Sequence, residues 1–111
     1  MAITKSGQKP PRDTLYEAIL LLKDMEECKK FFQDLCTVAE LRAMEQRFEV
    51  ALMLDQGMIY NDILKLTGAS SATISRVNRS LQYGAGGYED ILPRFKAERE
   101  AKEAKEADGE L

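Results

Sequence analysis

The chain has 111 residues, 44% of them apolar and 32% charged, with a formal net charge of −3. That length supports one domain with a modest core, and this balance belongs to a folded helical protein rather than a fully disordered chain. The apolar stretch 18–22 falls far short of the ~20 residues of a membrane-spanning helix, and the first dozen residues hold no apolar signal core, so a cytoplasmic protein with no membrane association is expected.

The residue inventory also limits chemistry. There is no His, so no Ser-His or Cys-His nucleophile pair can form. Cys28 and Cys36 lie outside any CxxC spacing, and two thiols fall short of the roughly four ligands of a structural zinc site. Both are expected to pack as small apolar residues in a reducing compartment. Gly84-Ala85-Gly86-Gly87 lacks the Lys-Ser/Thr of a phosphate-binding loop, and no strand precedes it. Neither an enzyme nor a cofactor is expected.

Residues 1–12 are polar, end in Pro10-Pro11, and read as a mobile arm. A single helical domain is expected over 13–95, followed by a charged helix or tail over 96–111. Thr14 and Glu17 have capping-box spacing and place a first helix from there to about Lys23, with Leu15, Ile19 and Leu22 on one face. Asp24 is placed to cap a second helix with an apolar stripe of Cys28, Phe31, Phe32 and Leu35.

Thr37 and Glu40 form a second capping box that opens a third helix over about 38–56. Its stripe of Leu41, Met44, Phe48, Ala51 and Leu52 is widened by Val50, Met53 and Leu54. A helix apolar around so much of its circumference needs partners on several sides, and in a short chain a second copy is a natural supplier. Gly57 is its stop signal.

Two short helices are expected next, over about 60–66 and 71–82, separated by Thr67-Gly68-Ala69-Ser70. Residues 84–87 read as a flexible break. Ile91, Leu92 and Phe95 form a small docking face. From Lys96 onward Ala is the only apolar residue before Leu111. Pairs such as Glu98/Lys102 and Arg99/Glu103 describe a solvated helix that frays into a disordered end.

The informative stretch is 60–83, YNDILKLTGASSATISRVNRSLQY. Two short helices about a Gly-containing turn match a helix-turn-helix, whose second helix enters the DNA major groove. Ser70 or Ser71 can cap that second helix. Ile74, Val77 and Leu81 share its inner face, and Ala72, Ser75, Arg76 and Arg79 point away. Its first turn, with Ser71, Ala72, Thr73 and Ser75 close by, is small and polar, so a base edge can come close. Ser and Thr hydroxyls can bond bases or phosphates, an Ala methyl can meet a thymine methyl, and the arginines reach phosphate or guanine. The candidate DNA-binding residues are therefore Ser71, Ala72, Thr73, Ser75, Arg76 and Arg79. Leu64 and Thr67 depart from the usual pattern of the first helix.

Charge distribution agrees with this placement. Residues 88–111 hold eight acidic and five basic residues, so the remainder is neutral, and 60–83 carries three basic residues against one acid. Charge near a contact surface matters most, because screening is strong beyond ~10 Å. The competing reading is a helical interaction module that dimerises without binding DNA; the acidic tail suits that reading, and the outward arginines suit DNA.

The segments CTVAELRAMEQRFEVALML and ILKLTGASSATISRVNRSL resemble the Trp repressor superfamily, and the chain as a whole resembles its YerC/YecD-like branch. The more specific run is Gly68-Ala69, then Ala72-Thr73-Ile74-Ser75-Arg76, then Asn78 and Ser80. The resemblance implies an all-α fold of five to six helices in an intertwined homodimer, with a shared core and projecting helix-turn-helix units. It implies a sequence-specific transcriptional regulator, a repressor, whose partners are double-stranded DNA and a second copy of itself. It also implies that Thr37, Arg47 and Arg76 match positions lining a corepressor pocket. Val77, however, stands where the Trp repressor has a glycine beside the indole. An added isopropyl group overpacks a tight slot by ~1–3 kcal/mol, so tryptophan is not expected to act as corepressor.

Overall fold

The computed structural model describes residues 11–109. They form six α-helices and, among the described residues, no strand: α1 (Pro11–Ile19), α2 (Met25–Leu35), α3 (Val38–Asp55), α4 (Tyr60–Thr67), α5 (Ser71–Tyr83) and α6 (Gly87–Gly109). The all-α expectation therefore holds. The helices group into two compact units, Met1–Leu41 and Arg42–Leu111, so that α3 begins in the first and continues in the second.

In the first unit the expected boundaries of the opening helix shift. Residues 1–10 of the expected arm lie outside the described residues, while Pro11 and Arg12 belong to α1. Proline suits a first helical position, where its missing N–H has no acceptor to lose and its φ is already helical. Thr14 consequently lies within α1 and not at its start. The helix also ends at Ile19 rather than near Lys23. After Leu20 bonds Tyr16 in the α pattern, Leu21 and Leu22 donate to carbonyls three residues back, at 3.0 and 3.2 Å, the tightened turn in which helices unwind.

The next cap explains that stop. Asp24 sits in extended geometry and accepts from the Glu27 N–H at 2.9 Å, while Glu27 Oε1 accepts from the Lys23 N–H at 3.0 Å. Residues committed to opening α2 cannot also continue α1. Of the stripe on α2, Cys28, Phe31 and Phe32 are half-buried but Leu35 is exposed, and no described residue up to Leu41 is fully buried. Leu20 is 85% and Leu21 77% exposed, Phe31 and Phe32 meet edge to face at 5.5 Å, and the thiols of Cys28 and Cys36 are free and half-buried.

The capping box at the start of α3 forms as expected. The Thr37 N–H donates to Glu40 Oε1 at 2.8 Å, and the Glu40 N–H donates to Thr37 Oγ1 at 3.1 Å. The backbone N–H of Thr37, and then its hydroxyl, hold the Glu40 carboxyl below the usual carboxylate range.

The second unit contains the core. Val50 and Ala51 of α3, Ile63 of α4, Ala69 of the turn, and Ile74 and Val77 of α5 form one buried cluster. Met53, Leu54, Met58, Leu64, Leu81 and Tyr88 close its edge. Gly57, at φ +85°, ends α3 as read: its N–H donates to the Leu54 carbonyl and that of Met58 to the Met53 carbonyl, at 3.0 and 3.1 Å. This paired pattern needs a left-handed residue, which glycine adopts without a Cβ clash.

The expected break at 84–87 is a short connection in which Gly84 closes α5 and Gly87 opens α6. The docking face on α6 is partly corrected: Leu92 is buried and Phe95 meets Phe48 edge to face at 5.6 Å, but Ile91 is 44% exposed. Phe48 also stacks with Tyr88 at 6.5 Å. The helix continues past Pro93 to Gly109 with every side chain from Lys96 on exposed, and Arg99 lies 4.9 Å from the Phe95 ring centre.

Replacing Thr37 with Ala should lower stability by about 1 kcal/mol, as loss of an N-cap does, measured by denaturant unfolding. The lowered pKa of Glu40 gives a sign. Its contribution is present above the ordinary carboxylate pKa and is lost as pH falls through the lowered value. The stability gap between wild type and Glu40→Gln should therefore narrow on acidification; a gap that widens would contradict the assignment.

Candidate nucleic-acid interface

Two local features fix the turn between α4 and α5. Gly68 caps α4 in the left-handed region, φ +71°, and its N–H donates to the Leu64 carbonyl at 2.9 Å. Ser70 then caps α5, its Oγ accepting from the Thr73 N–H at 3.1 Å. Of the two serines read as possible caps, Ser70 therefore has the role. Buried Ala69, between the caps, ties the turn to the core.

Thr67, which departs from the apolar pattern, bonds within the turn. Its hydroxyl donates to the Ile63 carbonyl at 2.7 Å and accepts from the Ala69 N–H at 3.1 Å. Its carbonyl accepts from Gln46 Nε2 of α3 at 3.2 Å. Leu64 is half-buried at the edge of the core.

The two faces of α5 separate as the helical period requires. Ile74 and Val77 are buried and Leu81 half-buried, whereas Ser71, Ala72, Ser75, Arg76 and Arg79 are exposed. Thr73 differs: it is half-buried, and its hydroxyl lies 3.1 Å from that of Ser70. Ala72, Ser75, Arg76 and Arg79 line one shallow open depression. Asn78, Gln82, Tyr83 and, from α4, Tyr60 complete its lining. Asn78 and Gln82 were within reach of helical spacing, each three residues after Ser75 or Arg79. Tyr60 was not, because its place beside α5 depends on the turn.

The charge on this surface has one sign. Helix α5 contains Arg76 and Arg79 and no Asp or Glu. Backbone N–H groups left unpaired at a helix N-terminus add partial positive charge, which favours a nearby phosphate. A flat, open, positively charged surface edged by hydroxyls and amides suits a polyanion better than a small enclosed ligand.

The four candidate effector residues have different placements. Thr37 caps α3 in the first unit, with its N–H and hydroxyl both engaged by Glu40. Arg47 of α3 and Arg76 of α5 are exposed. Val77 is 3% exposed and shares the buried cluster with Val50 and Ala51 of α3. Among the described residues no group of His, Cys, Asp and Glu is arranged to hold a metal ion, and no helix is long and apolar enough to cross a membrane.

Comparison with known proteins matches residues 12–96 to the family described as Trp repressor protein. The chain is 55% identical over 84 residues to the uncharacterised protein YerC of Bacillus subtilis (strain 168), covering 76% of this chain and 81% of that protein. A crystal structure of a candidate Trp repressor from Staphylococcus aureus superposes with a TM-score of 0.74 at 52% identity, covering 77% of this chain and 85% of that one. A TrpR-like protein from Eubacterium eligens gives 0.73 at 52% identity, covering 76% and 87%. Sequence and fold comparisons point to one family, and the chain belongs to the Trp repressor family.

Proposed function

We propose that this chain is a sequence-specific DNA-binding transcriptional regulator, a repressor, that acts in the cytoplasm as a homodimer and does not use tryptophan as corepressor. The observation that carries this reading is the outer face of α5, where Ala72, Ser75, Arg76 and Arg79 are exposed together on a capped helix without an acidic residue. Membership of the Trp repressor family supports it. In this reading α5 lies in the major groove: Ser71, Ala72 and Ser75 meet base edges, and Arg76 and Arg79 reach phosphates or guanine. Thr73 acts indirectly, by holding the first turn of α5 with Ser70.

The dimer supplies what the first unit lacks. Leu20, Leu21, Met25 and Leu35 are all at least half exposed, and apolar surface gains about 25 cal/mol per Å² when removed from water. A second copy covers this surface and sets two α5 helices against two half-sites, spaced about one DNA turn, ~34 Å. Val77 supports independence from tryptophan, since its side chain already fills space between α3 and α5. A corepressor acts only through a difference in affinity between competent and incompetent states, and a filled slot removes that difference.

Selection of duplexes from a random pool tests DNA recognition directly. Arg76→Ala and Arg79→Ala should each reduce the salt dependence of binding by about one unit of slope per lost phosphate contact. Substitutions at Ala72 and Ser75 should change the preferred sequence instead. Wild-type binding and preference in all four folded variants would place the interface elsewhere.

Sedimentation at micromolar concentration should give twice the chain mass; a stable folded monomer there would defeat the shared-core reading.

Calorimetry with millimolar tryptophan should show no stoichiometric binding. Tight binding that strengthened operator affinity tenfold, ~1.4 kcal/mol, would contradict the steric account. Val77→Gly should gain indole affinity and lose stability through the cavity and a weaker helix.

A further inference from the structure

The buried cluster holds α4 and α5 near α3 by contacts that have no direction. Dispersion and burial fix how closely helices approach but allow them to slide or rotate by small amounts. A recognition helix needs a defined angle, and a directional bond supplies one. The capping bonds described above join residues within five of one another. The bond from Gln46 Nε2 to the Thr67 carbonyl spans 21 residues, is partly buried, and runs from the middle of α3 to the last residue of α4.

Its chemistry leaves little freedom. A carbonyl only accepts, so the Gln46 amide must present its nitrogen. Thr67 is the final residue of α4, and the last carbonyls of a helix have no partner within it. The same residue bonds Ile63 behind it and Ala69 ahead of it, at 2.7 and 3.1 Å. Gly68 and the Ser70 cap follow at once. Gln46 thus grips the peptide that determines how α5 leaves α4.

We infer that Gln46 is a positioning residue for DNA recognition, fixing the orientation of the α4–turn–α5 unit on α3 through the Thr67 carbonyl without touching DNA. This inference rests on the DNA-binding reading above. It gives a chain with Val77 in its core a built-in fastening for the recognition helix that needs no small molecule. The groove beside the bond is lined by Arg42, Glu45 and Glu49, with Met53 and Leu66. These three charged groups are the ones facing any charge placed at position 46.

The test uses the full chain, a duplex enriched from a random pool by the wild type, and a shuffled duplex of the same composition. Gln46→Met keeps length and removes the donor. It should lower affinity for the enriched duplex by up to about tenfold, the scale of one net hydrogen bond, with less loss on the shuffled duplex and an unchanged salt slope. Amide exchange at Gly68 and Ala69 should accelerate. Gln46→Glu cannot donate as a carboxylate but can when protonated. Its affinity relative to wild type should therefore recover as pH falls through the range in which that carboxyl takes up its proton, a range that burial and the carboxylates of Glu45 and Glu49 push up and Arg42 pulls down.

A lower melting temperature with an unchanged ratio of enriched to shuffled binding, and no recovery in Gln46→Glu, would make Gln46 a stabilising residue only and overturn the inference. If the wild type enriches no duplex, the DNA reading itself falls. Exchange at Gly68 and Ala69 then decides the fastening: wild-type rates in Gln46→Met would overturn it, and faster rates would uphold it.

Discussion

Burial of six small and medium side chains, Val50, Ala51, Ile63, Ala69, Ile74 and Val77, holds the second unit together. None is aromatic, so α3, α4, α5 and their turn approach closely. Large side chains lie at the edges, as Phe48 does against Tyr88 and Phe95. In a core this small each methyl group contributes measurably, because close-packed interiors relax only partly around a void. The exposed face of α5 follows from the same packing. Burying Ile74 and Val77 turns Ala72, Ser75, Arg76 and Arg79 outward.

The two units differ in how their apolar residues are used. The second buries six of them in one cluster. The first forms helices through caps at Asp24 and Thr37, and its apolar residues remain accessible. Local bonds determine where a helix begins and ends, but they bury almost no area, so capping alone does not make a core. On the dimeric reading proposed above, this division explains why folding and assembly would be coupled.

The α4–α5 unit combines two kinds of constraint. Gly68 and Ser70 define the turn through backbone conformation and capping, and these depend only on neighbours in sequence. Gln46 joins that turn to a helix 21 residues earlier. Thr67 serves both, with its hydroxyl bonding locally and its carbonyl bonding across the fold. A residue that breaks an apolar pattern is in this case the point where the turn is fastened.

The sequence by itself determined the helical content, the box at Thr37 and Glu40, the Gly57 stop, the turn at Gly68, and the division of α5 into inner and outer faces. All of these depend on interactions within one or two helical turns, where residue order stands in for distance. The tertiary structure decided the rest. It left Ile91 exposed while burying Leu92, brought Tyr60 beside α5, and joined Gln46 to Thr67. Contacts between residues far apart in the chain form only after the elements pack, and no local spacing records them.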